Sequence, residues 1–175
     1  LYSASIEISR VRADGGTQTR DGLHGSTVYE YAEAMEAGEK FPPITLYYDG
    51  KDYWLADGFH RLAAAKEAKL EKIACTVHQG DRRDAILYSV GANATHGLRR
   101  SYADKRRAIE ALLRDSEWSQ WSDREIARRA GVSPSTVGVV RHELPPTVQN
   151  GQSDLRKGAD GRTINTANIG TKPTD

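Results

Sequence analysis

Apolar and polar residues alternate with a period of two over residues 6–11, the pattern of a strand with one buried face. The stretch ADGGTQTRDGLHG that follows is polar and glycine-rich and reads as a loop. Thr27 to Glu30 then spell a capping box, and Val28, Tyr31, Ala32 and Met35 recur at helical spacing until Gly38 stops the helix. Phe41, Pro42 and Pro43 force an extended entry into ITLYY, and Asp49-Gly50 turns the chain back through DYWLA as a hairpin. The strand ends at Asp57-Gly58. Residues 61–69 have the composition of a helix, KIACTVH reads as a strand and DRRDAILYSVGANA as another helix. Strands and helices are therefore mixed within the first 95 residues, and the fold class is α+β.

From Ser101 the pattern is purely helical. Ser101 and Asp104 resemble a capping box, and Ala108, Ile109, Leu112 and Leu113 share one face. Trp118 and Trp121 flank a break. The segment WSDREIARRAGVSPSTVGVVRHEL then has the spacing of a helix-turn-helix over residues 123–143. Ser122 and Glu125 form a capping box, Ile126 and Ala130 make an apolar face, and Ala127 is small enough for a second helix to cross closely. Gly131 supplies the positive φ of a tight turn, Val132 fills the angle, and Ser133 caps a second helix with Pro134 at its first position. Val137 and Val140 point inward, which leaves Ser135, Thr136, Gly138 and Arg141 outward for a major groove. With Ser133 they are the candidate DNA-reading residues. Arg124, Arg128, Arg129 and Arg141 are candidate phosphate contacts, with a solvated helix face as the plain alternative.

Charge sharpens this division. Residues 1–95 carry 11 Lys/Arg against 14 Asp/Glu, whereas residues 96–142 carry 10 against 6, although the whole chain is only +1. A basic helical stretch behind a mildly acidic domain is the footprint of an attached nucleic-acid module. No run of 18 apolar residues and no signal-peptide pattern is present, so we expect no membrane partner and a cytoplasmic protein. The single cysteine, Cys75, excludes an internal disulfide framework and reads as a buried strand residue. The chain opens on Leu1 rather than methionine, which leaves room for a trimmed terminus. Asn93-Ala94-Thr95 spells a glycosylation sequon, but without a secretory signal it carries no weight.

The stretch ADGFHRLAAA holds the most concentrated chemistry. After Gly58 a helix N-terminus offers free N–H groups and a positive dipole end, with His60 and Arg61 as added donors, so an anion suits it. A structural turn with Asp57 as cap and Arg61 paired to an acid is equally compatible. A metal site is weaker, because no second histidine stands at ligand spacing.

The succession of PPI, ADGFHRLAAA, GANATHGLRRS and a helix-turn-helix resembles the ParB/sulfiredoxin superfamily, and within it the ParB-like partition and transcription proteins. The resemblance spans about residues 1–142. It implies an N-terminal ParB/sulfiredoxin-like nucleotide-binding domain over 1–98. A helical DNA-binding module follows over 99–144, and a flexible tail or small hairpin around Asp160-Gly161 over 145–175. The family box that holds a nucleoside triphosphate, typically CTP with Mg2+, matches Asp57, Gly58, His60 and Arg61. The TQTR stretch matches an upstream box, which nominates Gln18 and Arg20, and Asn93 matches a metal-assisting asparagine. Three departures qualify this. Ala92 stands in place of the acid of the magnesium box, which speaks against efficient hydrolysis and leaves at most a weak triphosphatase. FHR replaces ERR. Phe59 stands where sulfiredoxin has its cysteine nucleophile and where the free-serine kinases have a histidine, which removes the sulfinic-acid repair chemistry.

Two functions are thus in play. One is a ParB-like sequence-specific DNA-binding protein, in partition or transcription regulation, modulated by a CTP-like nucleotide. It would act on double-stranded DNA as a homodimer, with a partition ATPase as a candidate partner. The other is a nucleotide-dependent phosphotransferase or nuclease delivered to DNA, with His60 as general acid or base and Asp57 orienting it. Tyr47, Tyr48, Tyr53 and Trp54 read as core and edge packing, and no heptad seam for a dedicated dimerisation domain is visible.

Overall fold

A computed structural model describes residues 1–18, 22–92, 100–145, 155–158 and 160–166. The chain divides into two compact units, Leu1–Arg100 and Ser101–Asp175.

The first unit is built on a five-stranded mixed sheet. Its strands are β1 (Tyr2–Glu7), β2 (Val11–Arg12), β3 (Ile44–Tyr48), β4 (Tyr53–Asp57) and β5 (Lys72–Gln79), in the order β1-β5-β3-β4-β2. Its helices are α1 (Gly25–Glu36), α2 (Phe59–Glu67) and α3 (Arg82–Gly91). The single strand expected over residues 6–11 is in fact two. A 3-10 turn at Ile8–Arg10 breaks it, so that β1 pairs antiparallel with β5 and β2 pairs parallel with β4. Those two pairings lie on opposite edges of the sheet. A flat sheet of five strands would put its edges about 19 Å apart, whereas the link spans about 14 Å even when extended. The sheet must curl until its edges approach, and the alternating Ile6, Ile8 and Val11 all turn into the core so enclosed.

That core is made by Ile44, Leu46 and Leu55 from β3 and β4, Ile73, Cys75 and Val77 from β5, and Leu62 and Ala65 from α2. The other face of β3 and β4 is met by α3, whose Tyr88 stands beside Tyr47 and His78. Asp49 organises the β3–β4 hairpin by accepting the N–H groups of Lys51 and Asp52 and the indole N–H of Trp54. These donors pull its carboxyl down to about 2.

The start of α1 differs from the sequence expectation. Thr27 and Glu30 do not cap it: the helix begins at Gly25, with His24 as its N-cap and no side-chain cap. Packing against α2 takes the place of a local cap, because the His60 imidazole on α2 receives the His24 N–H. Gly38, at φ +88°, ends the helix as expected.

The second unit holds α4 (Tyr102–Leu113), α5 (Asp123–Ala130), α6 (Pro134–Glu143) and a ribbon of β6 (Leu155–Lys157) and β7 (Thr163–Asn165). Ile109, Leu112, Ile126, Val137 and Val140 are wholly buried and form its centre. Ser101 and Asp104 make a full capping box on α4. At α5 only half of the expected box forms. Ser122 Oγ accepts the Glu125 N–H, but the Glu125 carboxylate is drawn away to two arginines. Among the described residues no helix is long and apolar enough to cross a membrane.

Gly38 and Gly58 both sit at positive φ, but only Gly58 is hemmed in: a Cβ there would lie 2.5 Å from Ile44 Cγ2, whereas at Gly38 it would meet nothing. Gly38→Ala should therefore cost about 1 kcal/mol, the backbone term alone. Gly58→Ala should cost about 3 kcal/mol, because Ile44 must also be displaced. Urea unfolding ranks the two, and equal losses would mean that the contact with Ile44 contributes nothing.

Candidate functional site

In the first unit, β2 and β4 run parallel and leave the sheet on the same side. β4 leads into Asp57-Gly58 and α2, and β2 leads into the loop holding Gly15, Thr17 and Gln18. Gly15 is pressed against the Trp54 ring, and its carbonyl receives Arg82 Nε at 2.5 Å. Thr17 is wholly buried, and its hydroxyl has no hydrogen-bond partner among the described residues. A buried hydroxyl of this kind costs free energy until water or a polar group satisfies it.

The ADGFHR turn is tied into the fold by its side chains, as its reading as a structural turn expects. Gly58 is the left-handed N-cap of α2, with no side-chain cap on the helix. Asp57 is not the cap; its Oδ2 instead accepts Arg61 Nη2 at 2.9 Å. Arg61 is further tied through Nη1 to the carbonyls of Pro42 and Pro43, each at 2.7 Å. The guanidinium thereby joins α2 to the entry of β3, and a phosphate reaching it would have to share or exchange these bonds. His60 is buried and stacks near His24, with its Nε2 accepting the His24 N–H at 3.1 Å. An accepting Nε2 places the proton of a neutral imidazole on Nδ1, so Nε2 is not a donor or an exposed acid. The bond also brings the uncapped starts of α1 and α2 together, and two helix N-termini side by side form a positive backbone site. Arg20 and Asn93 lie outside the described residues, and with Asn93 goes the nominated magnesium position. Among the described residues no cluster of three His, Cys, Asp or Glu is placed to hold a metal ion.

In the second unit, Gly131 ends α5 at φ 62° and ψ 46°, and Ser133 caps α6 by accepting the Thr136 N–H. The Ser133 hydroxyl lies 2.9 Å from that of Ser135 and 2.7 Å from that of Thr136 along the first turn, with Ser133 and Ser135 exposed and Thr136 half-buried. Arg124 is exposed. Arg128 is exposed as well, but forms a two-pronged pair with Glu125 at 2.9 and 2.7 Å. Arg129 reaches the same carboxylate at 2.6 Å and lies over the Trp121 ring. Arg128, then Arg129, holds the Glu125 carboxyl below its usual range against the opposing effect of burial.

Arg141 and Gly138 depart from the expected outward face. Arg141 keeps only 13% of its side chain exposed. It donates to Asp123 Oδ1 at 2.9 Å and to the carbonyls of Ser119 and Trp121 at 2.9 and 3.0 Å. It is a clamp that joins α6 to the start of α5. Gly138 faces that crossing too, since a Cβ there would lie 3.4 Å from Asp123 Oδ2. The residues that continue the open face are Val139, 49% exposed, and His142, at four and seven positions beyond Ser135. Sequence reasoning missed both, although their spacing from Ser135 and from the buried Val137 and Val140 would have found them.

Residues 3–94 match the family model of the ParB N-terminal domain. The chain belongs to this family. Two curated proteins match over a longer stretch than that domain. One is a streptomycin biosynthesis operon possible regulatory protein of Streptomyces griseus, 33% identical over 138 residues, covering 79% of this chain and 38% of that protein. The other is the transcriptional regulator NovG of Streptomyces niveus, 33% identical over 144 residues, covering 79% of this chain and 44% of that protein. The chain thus spans about two fifths of the length of the curated relatives it matches. Among solved structures, the truncated chromosome-partitioning protein ParB of Caulobacter crescentus, complexed to its centromeric parS site, superimposes with a TM-score of 0.53. It is 18% identical and covers 83% of this chain and 75% of its own, a likeness of fold.

The Glu125 carboxyl, held below its ordinary value of 4.5, stabilises α5 while ionised, and that contribution disappears as the pH falls through its lowered folded-state value. Between about pH 6 and about pH 3 the wild type should therefore lose more stability than Glu125→Gln, which has no such proton to take up. Parallel acid titrations followed by circular dichroism check this, and identical slopes would remove Glu125 as the cause.

Proposed function

We propose that this chain is a sequence-specific DNA-binding regulator of the ParB kind. Its helices α5 and α6 act as a helix-turn-helix, and its α/β unit takes a nucleoside triphosphate, CTP by resemblance, as a switch. The observation that carries the DNA reading is the first turn of α6. Small hydroxyl residues are locked there by a serine cap and presented on one open face with Val139 and His142. A recognition helix enters the major groove through such a turn, with hydroxyls for base edges and an apolar contact for a thymine methyl. Arg124, and Arg128 from its place beside Glu125, would face phosphates, while Arg141 and Gly138 hold the two helices at their crossing. The regulators among the relatives favour control of transcription. The parS complex of a similar fold keeps partition in view, and with it a partition ATPase as partner. Reading a symmetric site requires two copies of the chain, at the cytoplasmic nucleoid or on a plasmid.

The nucleotide reading is supported by the paired, uncapped starts of α1 and α2 and by the orphaned Thr17 hydroxyl beside Gln18. Triphosphate oxygens would be received by backbone N–H groups after Gly58, a position where a side chain would collide with Ile44. The enzyme alternative has less to stand on, because His60 Nε2 is taken by His24 and Asp57 by Arg61.

Selection of binding sites from a randomised duplex library should enrich one sequence. Ser135→Asp, which sets an acid against the groove, should weaken its binding on the order of tenfold or more. Failure to enrich any sequence would overturn the reading. CTP with magnesium should slow hydrogen exchange in the first turns of α1 and α2, and ATP, GTP and UTP serve as comparisons. Unchanged exchange with all four would remove the switch.

A further inference from the structure

We propose that the β6–β7 ribbon is a second DNA-contacting element, a basic wing laid on the phosphate backbone beside the start of α5. This rests on the DNA-binding reading above and adds to it a site outside the helices.

Of the flexible tail and the small hairpin that the sequence leaves open here, β6 and β7 form the hairpin, with defined register, Leu155 opposite Asn165 and Lys157 opposite Thr163. A lone two-stranded ribbon is marginal in water, so this one depends on its docking. It docks by its backbone: the Ser122 N–H donates to the Lys157 carbonyl at 2.8 Å, and Trp121 forms a parallel bridge with Lys157. Its turn is closed by the Gly158 N–H on the Arg162 carbonyl at 2.8 Å and by Asp160 Oδ1 accepting the Arg162 N–H at 3.0 Å.

The ribbon does not serve the core. Leu155 and Ile164 remain 52% and 44% exposed. What it presents is charge: Arg156, Lys157 and Arg162 against the single acid Asp160. Arg162 keeps 88% of its side chain in solvent and stands 3.6 Å from Asp160, a loose surface pair of little worth. Lys157 is exposed as well.

Position decides what this charge is for. The anchor residues Trp121 and Ser122 are the two that precede α5, and the Trp121 carbonyl is also held by Arg141 of α6. The ribbon is therefore fastened to the joint where α5 and α6 are clamped. In a helix-turn-helix, the helix before the recognition helix crosses the DNA backbone. A basic strand fixed at the start of that helix lies where phosphates pass, and a duplex is the occupant its charge complements.

The test compares the full chain with Lys157→Gln/Arg162→Gln, binding a mixed-sequence duplex over a range of salt. Both side chains are exposed, so the double variant keeps its fold. If each contacts one phosphate, the slope of log affinity against log salt should fall by about two. The loss of affinity between about 50 and 200 mM salt should then shrink by about tenfold. Lys157→Arg/Arg162→Lys should restore the wild-type slope, which a purely structural ribbon would not require. An unchanged slope in the glutamine variant, with Ser135→Asp still weakening binding, would overturn the wing and leave the helix-turn-helix standing. A wild-type chain that binds no duplex would overturn both.

Discussion

A link of three residues, Ile8–Arg10, joins strands on opposite edges of one sheet, and the first unit depends on that constraint. Because the link is shorter than the sheet is wide, the sheet curls, and the curl has two consequences. It encloses Ile6, Ile8 and Val11 with the apolar faces of β3, β4 and β5 in a core that a flat sheet would leave open. It also sets β2 beside β4 in parallel, so that the Gly15–Gln18 loop and the Asp57-Gly58 turn leave on one side. The candidate nucleotide site thus follows from a packing requirement. Pinning by His60 and Arg61 then fixes α1 and the β3 entry around it.

The second unit shows how arginines of similar appearance divide between fold and surface. Arg141, half-buried against one carboxylate and two carbonyls, is committed to joining α6 to α5. Arg129 is half committed, between Glu125 and Trp121. Arg128 grips that buried carboxylate with two hydrogen bonds, yet keeps most of its own side chain in solvent. Arg124 stands exposed on the same helix. Removing Arg141 therefore acts through the angle between the helices, and removing Arg124 through solvent-facing charge alone.

Much of the architecture was legible because it rests on local signals. The Asp49-Gly50 hairpin, the Ser101 and Ser133 caps, Gly38 and Gly131 at helix ends, and the inward Val137 and Val140 are each set by a few neighbouring residues. The misses share the opposite property. The break of the first strand at Ile8 is decided by pairing with β4, more than forty residues away. The start of α1 is set by a histidine on another helix, and Arg141 is turned inward by Asp123, eighteen residues earlier. The ribbon stands between the two: Asp160-Gly161 marks its turn in the sequence, but its strands are three residues each and its place comes from the backbone of Trp121 and Ser122. In the ADGFHR stretch, residue types alone left an anion cradle and a structural turn equally open. The structure ties the side chains into the turn and leaves the helix start uncapped.

That separation bears on how a nucleotide would act. To enlist Arg61 as a phosphate ligand, the chain would give up its bonds to Asp57, Pro42 and Pro43, and so loosen α2 from the strand it is tied to. A phosphate received by backbone N–H groups needs no such release and leaves Arg61 holding the site in shape. The two routes predict different couplings. In the first, ligand binding and the packing of β3 against α2 compete, and the nucleotide drives a rearrangement only by as much as it prefers the loosened state. In the second, the cradle is preformed, and any movement must begin in the neighbouring loop, where Thr17 is buried with an unsatisfied hydroxyl. The bonds seen at Arg61 favour the second route, because a cradle of backbone N–H groups leaves all three of them intact.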